Sequence, residues 1–454
     1  MQIKNKRVLV IGAAVTGVPV VNQLYKIGAK ITLNDKKSNS EIEEMLKEVN
    51  PKDINIVGGE HPIELADQAD LVVVSPGVPL ELPIIARAKE LGKEVIGEIE
   101  LAYRLTKTPI AAITGTNGKT TTTALLGEIM KESGRQTFVT GNIGNTMITE
   151  VDNAKSEDIF VLETSSFQLD TTIDFKPTVS AILNITPDHL DRHKTFNNYI
   201  NAKCKVFVNQ TQGDYAILNK DDEETYKIAD RVLCKLLFFS RKEILEEGAF
   251  VEDGMIVIKL GDKTERIIRT EEIYIPGPHN IENALAASLM AYCLGVEAKV
   301  INKVLKEFKG VEHRIEYIDE INGVTYYNDS KGTNTDASKV AVLAMNRPIV
   351  LIAGGYDKGS EYDDFIETFE GRVKDMVLIG KTADKIEQTA KRHGFNAIHR
   401  ADSIEEAVSL CSKLAKVGDC VLLSPACASW GMFKNYEERG RIFKSLVKGL
   451  RGVG

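Results

Sequence analysis

The chain has little cysteine and no long apolar run. No stretch of the 454 residues approaches the about 18 apolar residues of a membrane-spanning helix, which excludes an integral membrane protein. The cysteines show neither metal-ligand spacing nor the density of a disulfide framework, which is typical of a reducing cytosol. They are Cys204, Cys234, Cys293, Cys411, Cys420 and Cys427. These absences predict a soluble cytoplasmic protein.

Positive charge is also in deficit. Lysine and arginine number 57 against 65 for aspartate and glutamate, so the formal net charge is −8. A net acidic chain repels nucleic acid and anionic lipid, so neither is expected as a partner. Any anionic ligand must therefore be held by locally concentrated positive charge. The sequence also lacks low-complexity segments and internal sequence repeats.

The length predicts about three domains at roughly 150 residues each. Residues 7–11 predict a buried parallel strand, followed by a glycine turn, a helical stretch to Ile27 and a second strand at 30–33. This βαβ pattern recurs at 71–74 and along the rest of the chain, although 255–268 is typical of a small antiparallel appendage. Alternating strands and helices predict mainly parallel sheets with ligands at the carboxyl ends of the strands. The expected domains span residues 1–97, 98–311 and 312–454.

The segment Ala111–Thr121 combines a strand, a glycine loop, a lysine and a hydroxyl at a helix start. Glycines let backbone N–H groups turn toward an anion, Lys119 adds a mobile charge, and Thr120 is placed to bind Mg²⁺. The loop departs from the full Walker pattern because Ile113 stands where the first glycine would fall. The segment nevertheless predicts a triphosphate site.

Gly12–Gly17 lies between a strand and a helix, and Asp35 follows the next strand, as in a dinucleotide fingerprint. Ala14 replaces the middle glycine and places a methyl group where backbone would approach a pyrophosphate. This disfavours a nicotinamide cofactor. A nucleotide diphosphate held in another pose and a tight turn without a ligand both stay open.

Three polar clusters of the central region each follow an apolar run. They contain Asn142, Glu163 and His189, of which Glu163 is expected to face a metal and His189 to bind Mg²⁺ or orient a substrate. His193 is interpreted as a solvated loop residue. Asn283 lies three residues after Asn280, on the same helix face, and a helix cap explains Asn280 better than Asn283. Taken singly, each cluster could also be a surface turn or a cap.

The C-terminal region places polar loops after further apolar strands. Arg314, Asp329, Lys358 and Ser429 lie in or beside these loops. A lysine among glycines suits a closely approaching anion, and hydroxyl groups suit a carboxylate. Cys427 has no partner histidine in the sequence and is interpreted as a packed core residue.

Taken in order, these motifs resemble the Mur ligases over nearly the whole chain. The segments that carry the resemblance are Thr114–Thr120, Gly141–Gly144, Glu163–Leu169, Asp188–His193, His279–Asn283, Asp329–Asn334 and Ser424–Ser429. The resemblance implies an α/β fold with a Rossmann-like N-terminal domain, a central domain like that of P-loop NTPases and a Rossmann-like C-terminal domain. These domains would bind a uridine nucleotide, ATP and an amino acid, respectively.

The implied activity joins D-glutamate to UDP-N-acetylmuramoyl-L-alanine during peptidoglycan precursor synthesis. ATP would activate the acceptor carboxylate as an acyl phosphate, and ADP and phosphate would be released. The resemblance further implies two Mg²⁺ ions, a carbamate on Lys203 made with CO₂, and a monomeric enzyme. A ligase for another amino acid, or a folylpolyglutamate-type ligase, is the alternative within the same class.

The resemblance also assigns roles to individual residues. Lys119, His189 and Lys203 would be catalytic, and the metals would be bound by Thr120, Glu163, His189 and carbamylated Lys203. ATP would contact Gly115, Thr116, Asn117, Gly118, Lys119, Thr120, Thr121, Asn283, Arg314 and Asp329. The uridine-linked substrate would contact Val15, Thr16, Asp35, Gly77 and Asn142, and D-glutamate would contact Thr333, Lys358, Ser429 and Tyr436. Two positions depart from the family pattern, with Tyr436 in place of phenylalanine and Gly332 in place of alanine.

Two other function classes compete with a ligase. The Gly12–Gly17 turn permits a nicotinamide-dependent oxidoreductase, which would consume reduced nicotinamide. The phosphate loop alone permits a non-catalytic nucleotide switch, which would hydrolyse nucleotide slowly and bind a partner protein. Neither function class explains the polar motifs of the C-terminal region.

Overall fold

The computed structural model describes residues 3–357 and 359–452. Its contacts divide the chain into two compact units. Unit 1 comprises Met1–Thr270 and Glu282–Val304, and unit 2 comprises Glu271–Ile281 and Leu305–Gly454. Within the described ranges, no helix combines the length and apolar character that crossing a membrane requires.

The first sheet of unit 1 has five parallel strands in the order β3-β2-β1-β4-β5. The strands are β1 (Arg7–Ile11), β2 (Lys30–Asp35), β3 (Asn55–Gly58), β4 (Leu71–Val74) and β5 (Val95–Ile96). The helices are α1 (Gly17–Ile27), α2 (Asn39–Met45), α3 (Glu64–Gln68) and α4 (Pro83–Glu90). Strand β4 is buried along its whole length, as expected for a parallel strand covered on both faces. The βαβ pattern predicted for this region is confirmed.

The second sheet of unit 1 has nine strands in the order β14-β13-β12-β11-β10-β9-β6-β8-β7. The strands are β6 (Ile110–Thr114), β7 (Thr137–Gly141), β8 (Ile159–Glu163), β9 (Val179–Ile182), β10 (Tyr215–Asn219), β11 (Lys235–Ser240), β12 (Gly248–Glu252), β13 (Met255–Leu260) and β14 (Lys263–Arg269). The helices along this stretch are α5 (Glu98–Leu105), α6 (Lys119–Glu132), α7 (Met147–Glu150), α8 (Ser166–Leu169), α9 (Leu190–His193), α10 (Phe196–Cys204), α11 (Glu223–Lys227), α12 (Pro278–Cys293) and α13 (Ala298–Glu307).

The predicted antiparallel strands β13 and β14 are confirmed, but they continue the sheet and do not form a separate appendage. Strand β12 pairs in parallel with β11 and antiparallel with β13, which joins the two parts. Gly248 permits this junction, because a Cβ there would lie 2.0 Å from the carbonyl oxygen of Phe238.

The sheet of unit 2 has six strands in the order β15-β16-β20-β17-β18-β19. The strands are β15 (Glu316–Ile321), β16 (Val324–Asn328), β17 (Ile349–Ala353), β18 (Val373–Leu378), β19 (Ile398–Arg400) and β20 (Cys420–Leu423). The helices are α14 (Thr335–Ala344), α15 (Asp363–Glu367), α16 (Ala383–Arg392), α17 (Ile404–Leu414) and α18 (Tyr436–Gly449). Strand β15 pairs antiparallel with β16, and the other strand pairs within the described part of this sheet are parallel. The three sheets confirm the α/β class predicted from the sequence.

Strand order in the second sheet determines where its loops meet. Strand β6 lies between β8 and β9 and is parallel to both. The carboxyl ends of these strands are Thr114, Glu163 and Ile182, so the loops that follow them open at one edge of the sheet. The phosphate-type loop, the Glu163 segment and the His189 segment therefore leave the sheet side by side.

Candidate active site

The glycine loop between β6 and α6 is shaped by neighbouring backbone and amide groups. Gly118 has φ +84°, and a Cβ there would lie 2.4 Å from Oδ1 of Asn283. That oxygen also accepts a hydrogen bond from the Thr122 hydroxyl at 3.1 Å. The second asparagine of the predicted pair thus contacts the loop, whereas Asn280 donates to the carbonyl of Pro276 at 2.6 Å.

Asn184 is a loop-holding residue to which sequence reasoning gave no role. Its Oδ1 accepts a hydrogen bond from the backbone N–H of Asn117 at 2.8 Å. Its carbonyl accepts from the N–H of Thr116 at 2.9 Å. A polar residue directly after the apolar run of β9 was the only signal for it in the sequence.

Two lysines converge on one carbonyl of the glycine loop. Lys119 Nζ donates to the carbonyl oxygens of Gly115 and Thr116, each at 2.8 Å. Lys203 Nζ donates to the same Gly115 oxygen at 2.7 Å. Lys119 thereby places positive charge at the loop of a net acidic protein, as the predicted triphosphate site requires.

Lys203 is buried in α10, with 1% of its surface exposed. Its Nζ lies 4.5 Å from the centre of the Tyr199 ring. Burial lowers the pKa of Lys203 well below its ordinary value, and the charge of Lys119 lowers the pKa further, while Asp188 acts in the opposite direction. The position thus favours a neutral amine.

Glu163 ends β8 with its carboxylate in the protein interior. One oxygen, Oε1, accepts a hydrogen bond from the Asn142 side-chain amide at 2.9 Å. The other, Oε2, is buried and has no hydrogen-bond partner within the part of the chain that the structure describes. A buried carboxylate oxygen without a donor is costly, so this arrangement fits a bound cation.

His189 lies in the loop after β9 with a left-handed backbone (φ +52°) and 51% of its side chain exposed. Its ring centroid is 5.0 Å from that of Phe167. His193 is not the solvated loop residue expected from the sequence. It is buried, its Nε2 lies 2.9 Å from the Ser166 hydroxyl, and its ring stacks on Phe167. The Tyr199 ring also contacts it, with a centroid distance of 5.3 Å.

The Gly12–Gly17 turn of the first sheet is closed by short contacts. A Cβ on Gly17 would lie 1.7 Å from the carbonyl oxygen of Gly12, so the turn requires glycine there. The carboxylate of Asp35 accepts from the N–H groups of Ala13 and Lys37 at 2.6 and 2.9 Å. Burial raises the pKa of Asp35, but these donors and the charges of Lys37 and His61 together lower it below its ordinary value. Val15 is 84% exposed at the tip of the turn.

The remaining predicted residues of this region lie beside that turn. Thr16 immediately precedes α1, and its hydroxyl does not cap the helix. Gly77 follows β4, and its carbonyl oxygen lies 3.5 Å from a guanidinium nitrogen of Arg192. Unit 1 thus contains every predicted contact of the uridine nucleotide and of the metals, together with the glycine loop and Asn283.

Unit 2 brings Arg314 and Asp329 together, with Nη1 and Oδ1 3.8 Å apart. Asp329 is buried, and its Oδ2 accepts from the Ser424 hydroxyl at 2.7 Å. Burial raises the pKa of Asp329 to about 6, while Arg314 opposes the shift. Gly332 is fixed by the same carboxylate, because a Cβ there would lie 2.4 Å from Oδ2 of Asp329. The departure from alanine therefore has a local steric reason.

The predicted amino-acid contacts occupy loops of unit 2. Ser429 is buried after β20, Thr333 is half-buried before α14, and Tyr436 begins α18. The Tyr436 ring centre lies 5.8 Å from Lys331 Nζ. Lys358 lies outside the described residues. Cys427 is buried, as predicted, and burial raises the pKa of its thiol.

Arg439 joins the loops that contain Ser330 and Cys427. Sequence reasoning assigned no role to this residue. It is fully buried, and it donates to the hydroxyl and the carbonyl of Ser330 at 2.9 and 2.8 Å. It also donates to the carbonyl of Cys427 at 3.2 Å. Burial lowers its pKa to about 10, while Cys427 and Asp329 act in the opposite direction. Its position three residues after Tyr436 on one helix face was the available signal.

Comparison with known proteins agrees with this geometry. Residues 6–97 match the family model of the Mur ligase MurD-like N-terminal domain, 113–291 the Mur ligase middle domain, and 313–427 the Mur ligase glutamate ligase domain. The chain is 52% identical over 453 residues to UDP-N-acetylmuramoylalanine--D-glutamate ligase from Thermoanaerobacter sp. (strain X514), covering 99% of this chain and 100% of the relative. The chain belongs to the Mur ligase family.

The chain is also similar to other members of the Mur ligase family. The enzyme named UDP-N-acetylmuramoylalanine--D-glutamate ligase from Clostridioides difficile (strain 630) is 47% identical, with 99% of this chain and 100% of the relative covered. Among solved structures, MurF ligase from Thermotoga maritima in complex with ADP has a TM-score of 0.60 at 18% identity, covering 99% of this chain and 96% of that chain. At that identity the likeness shows the fold alone. The Mur ligase fold predicted from the sequence is confirmed, and the chain is an enzyme of the ligase class.

Proposed function

We propose that this Mur ligase joins D-glutamate to UDP-N-acetylmuramoyl-L-alanine with ATP, releasing ADP and phosphate in peptidoglycan precursor synthesis. The observation that carries the proposal is the cluster at the carboxyl edge of the second sheet. There Lys119 and Lys203 meet at the Gly115 carbonyl, and Glu163 leaves one oxygen unpaired. The choice of substrates is supported by relatives of that name that are 52% and 47% identical along their whole length.

A carboxylate is a poor electrophile, so it must be activated before an amine can attack it. A carboxylate oxygen of the acceptor attacks the γ-phosphorus of ATP, and ADP leaves. The amine of D-glutamate then attacks the acyl carbon of the acyl phosphate, and the tetrahedral intermediate expels phosphate. Most of the catalysis is positioning and charge stabilisation, which the glycine-loop N–H groups and Lys119 supply.

Two Mg²⁺ ions would be held by Thr120, Glu163, His189 and a carbamate on Lys203. The unpaired Glu163 oxygen fits a cation, and the ions would neutralise negative charge on the phosphates. A neutral Lys203 amine can add to the carbon of CO₂ and lose a proton, and this converts a repelled cation into an anionic oxygen ligand. The low pKa of Lys203 supports this modification.

The other contacts complete the proposal. Val15, Thr16, Asp35, Gly77 and Asn142 would bind the uridine-linked substrate. Asn283, Arg314 and Asp329 would join the loop residues Gly115–Thr121 in binding ATP. Thr333, Lys358, Ser429 and Tyr436 would bind D-glutamate. We further propose domains at 1–97, 98–311 and 312–454, and a monomer that acts in the cytoplasm.

The proposed function is tested by measuring the rate of phosphate release from ATP. The rate is compared between reactions that contain the acceptor alone, the amino acid alone, or both. We expect release only with UDP-N-acetylmuramoyl-L-alanine and D-glutamate together, and no comparable rate with L-glutamate, D-aspartate, L-alanine or a diamino acid. A rate of phosphate release that does not depend on either substrate would instead support a nucleotide switch. Oxidation of reduced nicotinamide with a hydroxy acid would support the oxidoreductase alternative.

A further inference from the structure

Arg192 lies in the loop that carries His189. Its guanidinium group contacts the backbone of the segment that follows β4 in the first sheet. Its Nη2 donates to the carbonyl oxygens of Val78 and Pro76 at 2.6 and 3.2 Å, and Nη1 donates to that of Gly77 at 3.5 Å. Three successive carbonyls thus point at one guanidinium. A planar group with five N–H donors suits such a set of acceptors, whereas a lysine ammonium does not reproduce its shape.

The segment that receives Arg192 is itself tied to the glycine turn of the first sheet. The N–H of Val78 donates to the carbonyl of Ser75 at 3.0 Å, which closes a Ser75–Val78 turn. The Ser75 hydroxyl donates to the carbonyl of Gly12 at 3.0 Å, and its N–H donates to that of Ile11 at 3.0 Å. The position of the Ser75–Val78 turn is therefore coupled to that of the Gly12–Gly17 turn by direct hydrogen bonds.

The other face of Arg192 rests on the aromatic cluster beside Glu163. Its guanidinium carbon lies 5.1 Å from the centre of the Phe167 ring. The same ring contacts His189 and stacks on His193, with centroid distances of 5.0 and 5.3 Å. Phe167 stands four residues after Glu163, in α8. Arg192, which belongs to the loop that carries His189, thus contacts both the Ser75–Val78 turn and the Phe167 ring.

We propose that Arg192 is a positioning residue that fixes the Ser75–Val78 turn against the His189 loop. It sets where a uridine-linked substrate, held at the first sheet, presents its carboxylate to the glycine-loop site. This inference rests on the proposed function. Arg192 acts through the Ser75–Val78 turn and Phe167, and it takes no part in bond making.

The test compares Arg192→Lys and Arg192→Ala with the wild type. The dissociation constant of UDP-N-acetylmuramoyl-L-alanine is measured by calorimetry without ATP, and kcat and both KM values are measured in the full reaction. Loss of charged hydrogen bonds predicts at least about tenfold weaker binding of the uridine-linked substrate in both variants. Its KM rises and kcat falls, while the KM for ATP stays within about twofold because the glycine loop is untouched.

Arg87→Gln is the matched control, because Arg87 is an exposed arginine of the same unit, paired with Asp67 at 2.9 Å, and should leave every constant unchanged. Phe167→Leu removes the aromatic face under Arg192 but keeps its carbonyl acceptors, and we expect a smaller shift in the same direction. It serves as the second variant should Arg192→Ala fail to fold.

Several results would overturn the inference. One is an unchanged affinity for the uridine-linked substrate in folded Arg192 variants, even if their melting temperature is lower. An arginine that only stabilises the fold would lower the melting temperature without changing the affinity. Another is full recovery with lysine, and a third is an equal rise in the KM for ATP. Wild-type protein that does not bind UDP-N-acetylmuramoyl-L-alanine would instead refute the proposed function, so the two failures are distinguishable.

Discussion

Replacing Lys119 with alanine is expected to lower kcat by about 10³-fold while the protein stays folded. The Lys119 ammonium donates to two carbonyl oxygens of its own loop, and Gly115 keeps the hydrogen bond from Lys203. The fold therefore loses little, whereas the transition state loses a charge that neutralises the transferring phosphoryl group. The measurements are the steady-state rate of phosphate release and the melting temperature.

Lys131→Ala is the matched control for Lys119→Ala. Lys131 lies in the same helix α6, is exposed and pairs with Glu128 at 2.8 Å. Its removal should change the rate by less than about twofold, since exposed ion pairs contribute little. A nearly normal rate for Lys119→Ala would show that Lys119 does not act on the phosphates.

Replacing Lys203 with alanine is expected to abolish activity and to allow partial rescue by small carboxylates. The side chain is buried beside the Gly115 carbonyl and the Tyr199 ring, so its removal leaves a cavity where a formate or acetate ion can supply the missing anionic oxygens. The rate of phosphate release is measured against carboxylate concentration, and saturation of the rescue would indicate binding in that cavity.

Lys203→Arg separates the carbamate from simple positive charge. A guanidinium stays protonated and cannot add CO₂, so this variant should be inactive and should not respond to formate. Lys227→Ala, at an exposed lysine of α11 that pairs with Glu223 at 2.7 Å, should behave as the wild type. Full activity of Lys203→Ala without added carboxylate would refute a metal-binding carbamate.

The strands and the glycine loop were predictable because both leave a local signature. Runs of apolar residues mark β1, β4, β6 and β17, and the Gly115–Lys119 pattern marks a phosphate loop wherever it occurs. The short strand β19 and the junction of β11 with β12 were not predicted. Their pairing depends on which neighbouring strand edge is open, which the local sequence does not encode.

The residues that sequence reasoning missed act over long separations. Asn184, Arg439 and Arg192 hold backbone carbonyls or N–H groups that lie 67, 109 and 116 positions away, respectively. No spacing rule connects such pairs. His193 was wrongly expected in solvent for the same reason, because Ser166 and Phe167 are brought to it by the parallel pairing of β6 with both β8 and β9. The burial that lowers the pKa of Lys203 is likewise a property of the packed structure.

Transfer of labelled oxygen tests the central claim most directly. UDP-N-acetylmuramoyl-L-alanine carrying ¹⁸O in both oxygens of its alanyl carboxylate is converted with ATP and D-glutamate, and the released phosphate is examined by ³¹P NMR or mass spectrometry. Activation of the carboxylate as an acyl phosphate predicts one ¹⁸O atom in each phosphate molecule formed. Phosphate free of ¹⁸O, with both labelled oxygens still in the recovered nucleotide, would show that ATP is hydrolysed by water and would contradict the account.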